Sequence, residues 1–143
     1  MICVDVGSGY NPKSGYLTCD SSSYCDFHSI EEIPNNVDRF HIRNVLHHIK
    51  DLDNFVDKIK TKSYKNTIIE VIDCVEDHYK SNIFLDKLYY RYIFNRSDIF
   101  IQETYRDLEQ YFIKNGFILK NKHIKNEKLI LKFKLCQKKS KNN

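Results

Sequence analysis

Proline and glycine are scarce, two and four residues in 143, and no stretch rich in Pro, Gly and Ser divides the chain. With no linker and no internal repeat, the sequence reads as one domain, long enough for a single core. A hydrophobic content of 41% places it among folded chains rather than disordered ones. No apolar run approaches the ~20 residues that a membrane-spanning helix needs. The opening ICVDV has the form of a strand and not of a leader peptide. The five cysteines (Cys3, Cys19, Cys25, Cys74 and Cys136) are odd in number and contain no C-x-x-C pair. They are expected to be reduced thiols of a cytoplasmic protein. Cysteines and histidines show no finger-like spacing, so no metal ligands are assigned.

Charge is uneven. From Lys120 onward there are nine lysines against the single acid Glu127, a net +8. Residues 1–119 carry 14 basic and 18 acidic side chains, a net −4. A basic end can bind nucleic acid or an anionic surface. A solvated last strand followed by a ragged tail, 137–143, is the preferred reading, since no RNA-recognition motif or stacking pattern accompanies the lysines.

Strand-like and helix-like segments alternate. Short apolar runs predict strands at 2–6 and 15–20, a third segment at 24–28, and a strand at 37–44. Leu52, Phe55, Val56 and Ile59 repeat at helical spacing behind Asp51 as N-cap, predicting a helix over 51–62. TIIEVID (67–73) is the most β-rich run. A helix over 77–95 carries Phe84, Leu88 and Tyr92 on one face. A further helical stripe runs through Ile101, Tyr105, Leu108 and Phe112 until Asn115-Gly116 ends it. Strands at 117–124 and 128–136, joined by Lys125-Asn126-Glu127, predict a closing hairpin. The alternation implies an α/β sheet.

The stretch VDVGSGYN (4–11) places Gly7 and Gly9 just past the end of the first strand, where glycines let backbone N–H groups approach a ligand. Asp20 ends the second strand, where an acid can accept hydrogen bonds from ribose hydroxyls. Dinucleotide enzymes and enzymes using S-adenosylmethionine share this pair of features. A dinucleotide fingerprint needs G-x-G-x-x-G opening a long helix. Here Pro12 stands at the last glycine, and only a few residues separate Gly9 from the second strand. No full helix fits, which argues against NAD or FAD.

The segments VDVGSGYNPKSGYLTCD (4–20), HSIEEIP (28–34) and VDRFHIRNVLHHI (37–49) resemble the small S-adenosylmethionine-dependent methyltransferases found with polysaccharide and glycan biosynthesis genes. IIEVIDC (68–74) and IFIQETYRDLEQYFIKNGF (99–117) continue the likeness more loosely. The resemblance implies a compact Rossmann-like class I methyltransferase sheet over residues 1–136, mostly parallel, with a C-terminal antiparallel hairpin and the first helix reduced or absent. It implies S-adenosylmethionine as cofactor. Asp5, Gly7, Ser8 and Gly9 would surround its amino-acid end, with Asn11 orienting the loop. Asp20 would hold the ribose, and Asn44 would lie near the methyl group. Ser29 stands where the family usually has an Asp that touches the adenine amine, and His47 where it usually has Glu.

Methyl transfer from a sulfonium is an in-line displacement that mainly needs alignment and exclusion of water. A hydroxyl acceptor gains from a general base, for which His48, Asp73 and His78 are the candidates. The expected acceptor is a hydroxyl or amine of a small molecule, a sugar or nucleotide-sugar by the family's gene setting. Residues 77–100 would form a substrate cap, and a homodimer could complete the pocket. A non-catalytic binding subunit is the alternative, and RNA methylation ranks below both.

Overall fold

A computed structural model describes residues 1–21, 24–96 and 98–136. The basic tail 137–143 lies outside the described residues. The strands are β1 (Cys3–Val6), β2 (Leu17–Cys19), β3 (Val37–Arg43), β4 (Ser63–Cys74), β5 (Phe117–Lys125) and β6 (Lys128–Leu135). The helices are α1 (Leu52–Lys62), α2 (Glu76–Tyr92) and α3 (Leu108–Lys114). All six strands join one sheet in the order β2-β1-β3-β4-β6-β5. β1 pairs in parallel with β2 and β3, and β3 with β4. β6 runs antiparallel to both β4 and β5. The mostly parallel sheet with a closing hairpin is therefore present, and no helix intervenes between β1 and β2.

Register explains the core. Val4, Phe40, Ile69 and Phe133 lie on one rung, and Val6, Ile42, Val71 and Leu131 on another two residues away. Side chains alternate across a sheet, so these two rungs share one face. All eight residues are buried, together with Phe55, Val56 and Ile59 of α1 and Leu108 and Phe112 of α3. Phe112, Phe117 and Phe133 pack ring against ring, with centroids 5.0 Å apart for Phe112 and Phe133. The expected α1 stripe is the buried one, and the Asp51 carboxylate accepts from the Asn54 N–H at 3.0 Å.

Three expectations are corrected. The segment 24–28 contributes only an isolated bridge, Cys19 to Phe27, because Asp26 turns back to hydrogen-bond the backbone and hydroxyl of Thr18. The helix expected through Ile101 and Tyr105 begins only at Leu108; residues 98–107 form neither helix nor strand. Ile101 and Tyr105 pack instead on a small separate cluster of Cys74, Tyr79 and Ile83. The Phe84–Leu88–Tyr92 stripe of α2 is exposed; Tyr79 and Ile83 are the helix's buried residues. α2 supplies no residue to the main core and packs at the carboxyl end of β4.

Candidate functional site

From β1 the chain moves to β2 on one side, then returns past β1 to β3 on the other. Such a reversal opens a crevice beyond the carboxyl ends of the strands. Gly7 forms its floor with φ +74°, and a Cβ there would lie 2.6 Å from the Cβ of Val45. Only glycine lets the end of β1 approach the residues after β3 this closely. The Gly7 N–H donates to the Cys19 carbonyl at 2.8 Å, tying the turn to β2. The Gly9 N–H donates to the Asp20 carboxylate at 2.8 Å. A cavity of about 870 Å³ opens here, lined by Gly7, Gly9, Asp20, Ser29, Asn44 and His48 among others. Aromatic rings cover it: Tyr10 stacks on Phe94 at 6.1 Å, and Tyr90 packs edge-on against His48 at 5.2 Å.

Asp5, Ser8 and Asn11 do not line this cavity. The buried Asp5 carboxylate accepts the Lys13 N–H at 2.7 Å, and Arg43 donates to the Asn11 carbonyl at 2.6 Å. Both bonds hold the loop that carries the glycines. Ser8 is buried with its hydroxyl 3.9 Å from the Cys25 sulfur.

A second cavity of about 240 Å³ adjoins the first and shares Asn44, His48, Tyr89 and Tyr90 with it. Asn44 stands at the junction with φ +53°, a left-handed conformation that asparagine tolerates, and its N–H donates to Ile72 at 2.9 Å. His47, Asp73 and Asp86 line the second cavity. His47 lies between the two acids: its Nδ1 is 3.3 Å from Asp73 and its Nε2 is 2.8 Å from Asp86. Burial works against a charge on His47, but the hydrogen bonds and charges of Asp73 and Asp86 outweigh it and raise its pKa to about 9. His48 moves the other way, lowered by burial and then by the neighbouring His47 charge. His78 lines neither cavity; its Nδ1 lies 3.7 Å from Glu127. Of the proposed bases, His48 and Asp73 are therefore gathered at the second cavity and His78 is not.

The irregular segment 98–107 fixes this corner. The Gln102 N–H donates to the His47 carbonyl at 2.7 Å. Arg106 donates to the carbonyls of Leu46 and Ile49 at 3.3 and 2.9 Å, closing the 3-10 turn Leu46–His48. The Leu46 carbonyl already accepts the Ile49 N–H at 3.1 Å, so Arg106 adds a second donor there and serves the Ile49 carbonyl, which lies just past the turn. The sequence reading missed Asp86 and Arg106. The signal for Asp86 was present in the spacing Tyr79, Ile83, Asp86, Tyr90, which is one face of a helix with an acid in its middle.

No protein-family model matches the chain, and no curated protein matches its sequence. Solved structures do match. A candidate type 11 methyltransferase from Sulfolobus solfataricus superimposes with a TM-score of 0.67 at 12% identity, covering 97% of this chain and 86% of that one. An S-adenosylmethionine-dependent methyltransferase from Mesorhizobium loti gives 0.65 at 10% identity, covering 93% and 90%. The magnesium protoporphyrin IX methyltransferase of Synechocystis, solved with bound S-adenosylhomocysteine, gives 0.60 at 13% identity, covering 94% and 74%. The fold is that of the Rossmann-like, class I S-adenosylmethionine-dependent methyltransferases. Among the described residues no helix is long and apolar enough to cross a membrane.

Proposed function

We propose that this protein transfers a methyl group from S-adenosylmethionine to a hydroxyl or amine of a small molecule. The observation that carries the proposal is the pair of adjoining cavities at the strand ends, which share Asn44, His48, Tyr89 and Tyr90. The larger holds the glycine turn and Asp20, the smaller holds the histidines and acids, and Asn44 and His48 stand between them. A cofactor in the first and an acceptor in the second would meet at that wall. Asp20 would exchange its bond to the Gly9 N–H for the ribose hydroxyls, while Gly7 and Gly9 leave room for the methionine portion. Ser29 would face the adenine with a hydroxyl. The aromatic rings from Tyr89 to Phe94 would exclude water over the reacting centre, the role expected of a cap over 77–100.

The lone pair of His48 at the junction can take the acceptor's proton, directly or through a group held beside it. Asp73 acts through His47, which it holds. A sugar or nucleotide-sugar is the acceptor class implied by the resemblance of the N-terminal third. Calorimetric titration with S-adenosylmethionine and S-adenosylhomocysteine tests the reading. Micromolar binding to the native chain, weakened at least about tenfold by Asp20→Ala, is the expected result. That corresponds to a loss of about 1.4 kcal/mol. No binding of either compound would overturn the proposal and leave a non-catalytic relative of the fold.

A further inference from the structure

His47 and His48 are neighbours in sequence on a tight turn, where consecutive side chains normally diverge. Their rings instead lie 4.1 Å apart. Each ring is anchored through Nδ1. For His47 the anchor is the Asp73 carboxylate at 3.3 Å, and for His48 it is the Phe100 carbonyl at 3.0 Å. A carbonyl oxygen only accepts, so Nδ1 of His48 carries the hydrogen and Nε2 carries the lone pair. Both Nε2 atoms then turn to one oxygen, Asp86 Oδ2, at 2.8 Å from His47 and 3.7 Å from His48. A donor atom from each of the three residues falls within 4.8 Å of the others.

Imidazoles whose far nitrogens are held by a carboxylate and a carbonyl, with their near nitrogens converging on a second carboxylate, form the arrangement that orients histidines around a metal. We propose that His47 Nε2, His48 Nε2 and Asp86 bind a divalent first-row transition ion, with Asp73 and the Phe100 carbonyl as the outer partners. Two nitrogens and one oxygen suit zinc, cobalt or iron(II) better than magnesium or calcium, which take oxygen ligands. Metal–ligand bonds are about 2.0–2.2 Å, so ligand atoms around one ion stand roughly 3–3.5 Å apart. The observed separations bracket that value, and a small opening of the His47–Asp86 contact admits the ion. Three protein ligands leave coordination positions open. The second cavity, with Asn44 and Tyr90 on its wall, is the space for them.

The role of the ion rests on the methyltransferase reading; its binding does not. The ion would engage the His48 lone pair, so with it bound an acceptor hydroxyl held on the ion gives its proton to solvent rather than to His48, more readily than when free, as bound water does. The oxygen then forms its bond to the methyl carbon while the carbon–sulfur bond breaks, and the released electron pair neutralises the sulfonium.

The test uses the full chain, stripped with a chelator and dialysed, and titrated with Co²⁺ while its visible absorption is followed. One Co²⁺ per chain, displaced by Zn²⁺, is expected. Asp86→Asn and His48→Gln should each weaken binding by more than about tenfold, and Asp73→Asn by about 10–100-fold. His123→Gln, on exposed β5, should leave it unchanged. Unaltered melting temperatures would show that the variants fold. Absence of stoichiometric Co²⁺ binding, or binding indifferent to Asp86→Asn, would overturn the metal site and leave an ion-pair cluster. The titration needs neither cofactor nor acceptor. Metal bound without S-adenosylmethionine binding would sink the proposed function and spare the site, and the converse would spare the function.

Discussion

The two faces of the sheet are opposite in character. On one face the rungs through Val4 and Val6 run apolar across four strands and are covered by α1 and α3. Between those rungs lies another of opposite character: Asp5, His41, Glu70 and Lys132 stand side by side in register and project to the opposite face. The loop between β1 and β2 crosses that charged face. Lys13 lies 3.5 Å from Glu70, its ammonium stands 5.2 Å from the centre of the Tyr16 ring, and its N–H reaches Asp5. A helix would need an apolar surface to sit on. This face offers charges, and a short polar loop satisfies them. The missing first helix and the charged rung are two sides of one solution, and the loop they fix is the one that carries Gly7 and Gly9.

The largest effect should come from damaging the apolar face. Phe133 is fully buried between Phe112 and Phe117. Phe133→Ala removes most of a ring from a site that helices and strands hold rigid. It is expected to cost about 3–5 kcal/mol in chemical denaturation. A loss below about 1 kcal/mol would mean that the two faces do not differ in the way the burial implies.

The charged face should respond to pH instead. The hydrogen bond from His41 at 2.8 Å, opposed by burial and reinforced by Lys13 and Lys132, lowers the Glu70 pKa to about 2. A carboxylate depressed on folding contributes stability above its unfolded pKa and loses it as pH falls towards the folded one. The window here runs from about 4.5 down to about 2. The contribution is of order 2–3 kcal/mol at neutral pH. Acid titration of the melting temperature should therefore fall more steeply for the native chain than for Glu70→Gln. Parallel curves would show that this rung carries no such linkage.

Much of this was legible beforehand, and the reasons differ by element. The α1 stripe and the hairpin were readable because periodicity and burial agree there. The glycine turn past β1 was readable because turn chemistry is local. The segment 98–107 was not. Ile101 and Tyr105 do have helical spacing with Leu108 and Phe112, but each half packs on a different cluster, and Arg106 serves carbonyls some 60 positions earlier in the chain. Nor was the meeting of His47 with Asp86 readable, since it joins a turn after β3 to a helix after β4.

The smallest expected effect concerns the two sides of α2, and it is the one where hydrophobicity alone misleads. The outward side carries Phe84 and Tyr92, 62% and 70% exposed. The inward side carries Tyr79, Ile83 and Asp86, with Ile83 only 7% exposed. The outward side is the more apolar of the two. A helix lying on the core would have turned it in. α2 caps strand ends, where the surface below is a polar crevice, so the face that suits the crevice wins. Phe84→Ser and Tyr92→Ser should each change stability by less than about 0.5 kcal/mol, while Ile83→Ala costs about 2 kcal/mol or more. Denaturation of the three variants side by side measures this. Equal losses would turn α2 around. The Tyr79–Ile83–Asp86 face would then no longer meet the turn at His47 and His48, and the metal site would lose its third ligand.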